Sequence, residues 1–285
     1  MKPNKNKNKI CLTLIRLIGV TTALMLLSGC KPATKEVFQD SLLQNPSFRV
    51  HLISREISNW LGVRSYLEEL EQHESEHKLD IEEKTLVRGR RIAARIVEQA
   101  IALYPFSTDW DWELHVLESD IFNASCRSGG KMIVNSFVLE DGRFDDNQVA
   151  MVIGHEIAHA LLEHSRADLG RLAVAGGGGF VMSQSFKMGR MRWDTVFNGI
   201  QTLSLPIGRK DEREADLLGL ALMTKAGFDP VQGASIWPDV GDVPVGSKIS
   251  SRLELYESSH PSDRERFEFL SKAAAKFEQL KAVNK

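Results

Sequence analysis

The stretch His155-Glu156-Ile157-Ala158-His159 decides how the rest of the chain is read. Two imidazoles four residues apart share one face of a helix, close enough to hold one metal ion. The glutamate between them stands beside that pair, where a carboxylate can take a proton from a metal-activated water. The flanking residues have a helical period. Val149, Val152, Ile153, Ile157, Ala160 and Leu161 recur at steps of three and four and form one apolar stripe. Asp145 or Asp146 supplies an N-cap upstream. On a helical wheel His155, Glu156 and His159 fall beside the stripe, a placement that suits the wall of a cleft.

A catalytic zinc site takes three protein ligands and leaves a fourth position open, so a third ligand is needed downstream. The metzincin spacing is excluded, because Leu162 and Ser165 stand where it requires Gly and His. His164 is off that spacing and reads as a helix-terminal His, favourable against the C-terminal dipole. The other solution is a glutamate on a second helix. Gly208-Arg209-Lys210-Asp211-Glu212-Arg213-Glu214-Ala215-Asp216 offers the start of one, and Gly227 before Asp229-Pro230 ends it. Glu212 and Asp216 share a face with Gly219, which would let the helix come close to the first one. Glu214 points to the opposite side and reads as solvated. Taken alone, this cluster is an ordinary charged helix start. Its meaning comes from the pairing with the histidine helix, which makes Glu212 a ligand and Asp216 a carboxylate behind it.

With those two boxes in hand, the chain resembles the zinc metallopeptidases of the CAAX prenyl endoprotease, HtpX and BepA type, metallopeptidase family 48. Further segments resemble that family in its order. They are Asn123-Ala124 with Gly129-Gly130 through Ser136, then Ala226-Gly227-Phe228-Asp229-Pro230, then Ser259-His260-Pro261 with Arg266 beyond it. Gly208 replaces the family's usual Ser, and the Gly176 to Gly179 run has no counterpart in it. The resemblance implies a mainly helical α+β zincin, gluzincin-like, with a small sheet beside the cleft. It implies about one Zn²⁺ per chain held by His155, His159 and Glu212, with Glu156 as the base and Asp216 orienting a ligand histidine. Substrate would add as a strand along Gly130 to Asn135, with Asn123, Gly130, Met132 and Val134 as the substrate strand. Two roles stay open for His260. It could occupy the water position and hold the enzyme latent, or it could stabilise the oxyanion with Arg266 as a supporting cation.

The N-terminus reads as a targeting segment. Lys2, Lys5, Lys7 and Lys9 precede an apolar run from Leu17 to Leu27, and Arg16, Thr13, Thr21 and Thr22 make a poor membrane helix. Leu27-Ser28-Gly29-Cys30 resembles the bacterial lipoprotein processing box, implying lipid on Cys30. Lys31, rather than Asp, then implies the inner leaflet of the outer membrane, facing the periplasm. The expected division is a signal over residues 1–29, a linker and helical extension over 30–80, and a peptidase domain over 81–285. Cys126 is then the only cysteine of the mature chain, which allows no internal disulfide, and it reads as a small buried residue.

The remaining pattern is coarse. Glu82 to Leu103 forms a strong helix, and Trp112 to Leu117 and Lys131 to Asn135 are short strands. Pro238 to Ser250 is a loop, and Ser262 to Lys281 is a closing amphipathic helix. His73 and His77 have the spacing of a metal pair but no base between them, and read as surface residues. A net charge of −2 carries no nucleic-acid footprint, and no internal repeat is visible. The sequence thus points to a membrane-anchored endopeptidase acting on unfolded or misassembled envelope proteins, with the outer-membrane assembly machinery as a possible partner. The competing class is a non-catalytic, chaperone-like lipoprotein that binds assembly intermediates.

Overall fold

The computed structural model describes residues 51–174, 193–236, 260 and 264–283. The targeting segment with Cys30, the glycine run at 176–179 and the stretch 238–250 lie outside the described residues. The elements are α1 (Arg55–Ser75), α2 (Glu83–Leu103), β1 (Glu113–Leu117), β2 (Ala124–Arg127), β3 (Lys131–Asn135) and α3 (Asp146–Leu161). They continue with α4 (His164–Val174), α5 (Trp193–Lys225), α6 (Pro230–Ala234) and α7 (Arg264–Val283). The mainly helical α+β class expected from the sequence is the class observed.

Local chemistry sets the start of α3. The Asp145 carboxylate accepts from the amides of Asn147 (2.8 Å) and Gln148 (2.9 Å), and the Gln148 side chain accepts from the Asp145 amide (3.0 Å). This reciprocal pair is a capping box, so Asp145 is the cap. Asp146 instead takes Arg88 and Arg91 from α2. The single apolar stripe expected for α3 proves too narrow. Ala150, Met151 and Ala158 are buried as well, because α3 is wrapped by α2, α5, α6 and β2.

The sheet order is β1-β3-β2, with β1 and β3 parallel and β2 and β3 antiparallel. Alternation divides the side chains between two faces. Leu114, Val116, Ala124, Cys126, Met132 and Val134 join the main core with α2 and α3. Arg127, His115 and Lys131 face α1, where Glu69 pairs with Arg127 and the Tyr66 ring lies against His115 and Lys131. Helix α1 is therefore the second cover of the sheet. Its Leu61 and Tyr66 are buried, and Ser58 hydrogen-bonds Ser128 at 3.0 Å. The expected boundary between residues 80 and 81 is corrected accordingly, since α1 packs as part of the same unit. Its sequence is rich in charge, with a Glu- and His-rich stretch from Leu67 to Lys78, and so reads as a solvated extension, although Ile57, Trp60 and Leu67 are exposed as well.

The placement of β3 corrects a second expectation. Met132 and Val134 were expected on the edge that receives substrate, but β3 is the central strand and both of its flanks are already paired. The Gly130 carbonyl is likewise occupied by the Glu113 amide (3.1 Å). Among the described residues, the edge beside α3 is β2, which begins directly after Asn123.

Helices α3 and α5 cross at two glycines. A Cβ on Gly219 would stand 2.7 Å from the His155 nitrogen and 2.8 Å from the Gly154 carbonyl carbon, and one on Gly154 would stand 2.9 Å from the Gly219 oxygen. Each contact is with backbone, which cannot step aside. Gly219→Ala would gain about 1 kcal/mol of helix propensity. The clash, at about 1–3 kcal/mol or more for overpacking, outweighs it. The variant should melt lower and bind zinc more weakly, because Glu212 and Asp216 move with the helix. Wild-type values in thermal melting and zinc titration would refute the crossing as described.

Candidate active site

The histidines of α3 and the carboxylates of α5 meet at this crossing. The His155 and His159 Nε2 atoms are 3.0 Å apart, and each lies 3.3 Å from a Glu212 oxygen. His155 and Glu212 are buried, and His159 is partly so. Behind them, Asp216 Oδ1 lies 2.9 Å from His155 Nδ1. An Asp216 carboxylate on that side of the ring leaves Nε2 to face the cluster. Burial works against a charge on His155, but Asp216 and Glu212 more than offset it and raise its pKa to about 9. Metal binding at neutral pH would therefore release a proton from this site.

Glu156 is buried beside the cluster, and burial pushes its carboxyl above the usual range, making it the stronger base. Its Oε1 is 3.6 Å from His260 Nε2. His260 reaches the same cluster, with Nδ1 3.2 Å from both Glu212 oxygens and 3.3 Å from His155 Nε2. The sequence separates this residue from α3 by a hundred positions, yet the fold brings the two together. Cys126, on β2, is buried near Glu156, and burial drives its thiol far up, so it is an inert packing residue.

Arg266 is corrected from its expected place beside a developing oxyanion. It is buried and committed to the carboxylates of α5. Its Nε donates to Asp216 (2.5 Å), Nη2 donates to the other Asp216 oxygen (2.8 Å), and Nη1 lies 2.9 Å from Glu212. Burial alone would raise the pKa of both carboxylates, but Arg266 helps hold each below the usual range. The guanidinium thus helps keep both carboxylates ionised.

Three further readings change. Gly208 lies inside α5 rather than at a helix start. His164 opens α4 after a turn through Glu163 (φ +57°) instead of closing α3. Glu214 faces away from Glu212, as expected, but is 1% exposed and lies 3.8 Å from His164 Nε2. Sequence reasoning missed His164 and Glu214 as parts of the site. The available signal was a third histidine five residues after His159.

Over residues 88–274 the sequence matches the model of peptidase family M48. The chain belongs to peptidase family M48. Its similar relatives are named metalloendopeptidases. The "Mitochondrial metalloendopeptidase OMA1" of Schizosaccharomyces pombe is 31% identical over 191 residues, 65% of this chain and 54% of that protein. The protein of the same name in Arabidopsis thaliana is 32% identical over 171 residues, 59% of this chain and 33% of its own length. That of Saccharomyces cerevisiae is 27% identical over 172 residues, 59% and 49% respectively. The M48 chain therefore spans about half or less of the length of these relatives.

These relatives are named as mitochondrial proteins of eukaryotes. That overturns the expected location on the inner leaflet of a bacterial outer membrane. Lipid on Cys30 and the assembly-machinery partner find no support among them. The physical reason is that a positively charged N-terminus without acidic residues is common to targeting segments of several compartments.

M48 peptidases use zinc, and the donors of this chain fit it. Two imidazole nitrogens and a carboxylate, at mutual separations of 3.0–3.3 Å, match the edges of about 3.3 Å around a tetrahedral ion with bonds of about 2.0–2.1 Å.

Proposed function

We propose that this M48 chain is a zinc-dependent endopeptidase that cleaves extended segments of unfolded or misassembled polypeptides and is held latent by His260. The observation that carries this is a buried base, Glu156, beside a cluster of His155, His159 and Glu212 that fits zinc. When bound, zinc lowers the pKa of a water at its open position and polarises the scissile carbonyl. Glu156 takes the proton of that water and delivers it to the leaving amine. Asp216 orients His155, and Arg266 holds Glu212 and Asp216 ionised. A substrate strand would add to β2 at Ala124–Arg127, where Cys126 places the edge close to Glu156. Main-chain pairing there gives affinity with little dependence on sequence, and suits chains that have lost their own fold.

Latency rests on the two nitrogens of His260. One lies at ligand distance from His155 and Glu212, and the other faces Glu156. In that position the imidazole occupies the place of the nucleophilic water and covers the base. His260→Ala should raise basal cleavage of an unfolded casein-type substrate by about tenfold or more, equivalent to removing about 1.4 kcal/mol of inhibition. Zinc content should not change. A fall in activity with zinc retained would assign His260 to the oxyanion. Loss of both would make the four residues a closed structural site.

A further inference from the structure

The back of His159 contacts a second buried group that the catalytic scheme leaves unused. His159 Nδ1 lies 2.8 Å from His164 Nδ1. His164 Nε2 in turn lies 3.8 Å from Glu214 Oε2 and 4.0 Å from Asp211 Oδ1. His164, Asp211 and Glu214 are all at least nine-tenths buried, and their side chains could themselves surround a cation. The cluster can be read as a second metal site or as a support for the first.

Counting protons separates the two readings. A metal held by His159 Nε2 uses the lone pair of that nitrogen, so the ring's proton must sit on Nδ1. The contact of 2.8 Å between the two Nδ1 atoms has room for one proton, so His164 must accept it. His164 then carries its own proton on Nε2, directed at the carboxylates of Glu214 and Asp211. A cation on His164 Nε2 would need that lone pair and would move the His164 proton to Nδ1. Two N–H groups would then face each other across 2.8 Å. With neutral imidazoles, a cation at this cluster and a cation on His159 exclude one another.

We infer that His164 is a positioning residue for His159, fixing its tautomer and ring plane through the Nδ1 contact while Glu214 and Asp211 orient His164. This rests on the reading that His155, His159 and Glu212 hold zinc. The two ligand histidines are then braced differently. His155 is backed directly by a carboxylate, Asp216, whereas His159 reaches carboxylates only through a second imidazole. The turn at Glu163 makes this possible by starting α4 with His164 tucked behind α3. That turn is held by Arg55 (2.6 Å) and Arg166 (2.9 Å) on the Glu163 carboxylate.

The test measures zinc stoichiometry, zinc release to a chelator and the visible spectrum of the cobalt-substituted full chain. Wild type should hold about one zinc, the number left once proton counting excludes the second site. His164→Leu should bind zinc about 10–100-fold more weakly, the usual effect of removing the partner of a ligand histidine, and should shift the cobalt bands. His164→Gln should restore affinity to within about threefold and return the bands, because its amide oxygen can accept from His159 and its amide nitrogen can donate to Glu214. Should His164→Leu fail to fold, Glu214→Gln should still weaken zinc several-fold in a folded chain. Zinc binding that is unchanged in His164→Leu, or in Glu214→Gln if that is the variant available, would overturn the inference. So would two zinc ions in wild type, of which His164→Leu loses one. A wild-type chain that takes up no zinc would overturn the zinc reading and this inference together.

Discussion

Glu156→Gln should abolish proteolysis to the extent of about 10²–10⁴-fold while zinc content and fold are retained. The amide has the size of the carboxylate but cannot accept the proton of the attacking water. The loss corresponds to about 3–5 kcal/mol of transition-state stabilisation. Zinc should stay, because Glu156 stands outside the group formed by His155, His159, Glu212 and His260. Stability should not fall either. Burial already penalises the charged form of Glu156, so a neutral side chain of the same shape removes a cost. The informative measurement is zinc content, melting temperature and cleavage of an unfolded substrate on one preparation. Residual activity near wild type would sink the endopeptidase reading and return the chain to the class of binding modules.

Arg266→Met should give the largest loss of stability. It removes a guanidinium that contacts both Asp216 and Glu212, two carboxylates that are almost fully buried. Breaking a buried ion pair from one side costs about 3–5 kcal/mol, because the partner charge is left without compensation. For a domain of this size that is a drop of about 6–20 °C in the melting temperature of the metal-free protein. Zinc should restore part of the loss, since the metal neutralises the same Glu212 carboxylate. Arg266→Lys should fall between, as a single ammonium cannot span both Asp216 oxygens and Glu212. An unchanged melt in metal-free Arg266→Met would show that the guanidinium does not neutralise these carboxylates.

Much of the site was legible because its chemistry is local. The His155–His159 spacing places two imidazoles on one helix face whatever surrounds them. The capping box at Asp145 and the stop at Gly227, whose φ of +86° suits only glycine well, fix helix ends through contacts within a few residues. Glu113–Leu117 reads as a strand from its alternation, and the paired positions of Glu212, Asp216 and Gly219 follow from the helical repeat. Each of these rests on chain geometry over one or two turns.

What failed was non-local. Whether β3 is an edge or the centre of the sheet depends on which strands pair with it, and no residue within β3 records that. Helix α1 looks like an extension because its sequence is rich in charge, while the residues it packs on, Arg127 and Ser128, lie 58 and 70 positions further along the chain. Glu214 and His164 look like surface groups until α4 and α5 bury them together, and Arg266 looks catalytic until α7 points it at Asp216. The sequence by itself therefore determined the helix that carries His155, Glu156 and His159 and the pairing of Glu212 with Asp216 on a second one, since helical spacing alone puts His155 beside His159 and Glu212 beside Asp216. Only the tertiary structure decided which side chains stand behind His155 and His159, which strands lie at the edges of the sheet and where His260 sits. Those depend on burial and on contacts between distant segments, which a pattern of residue types does not encode.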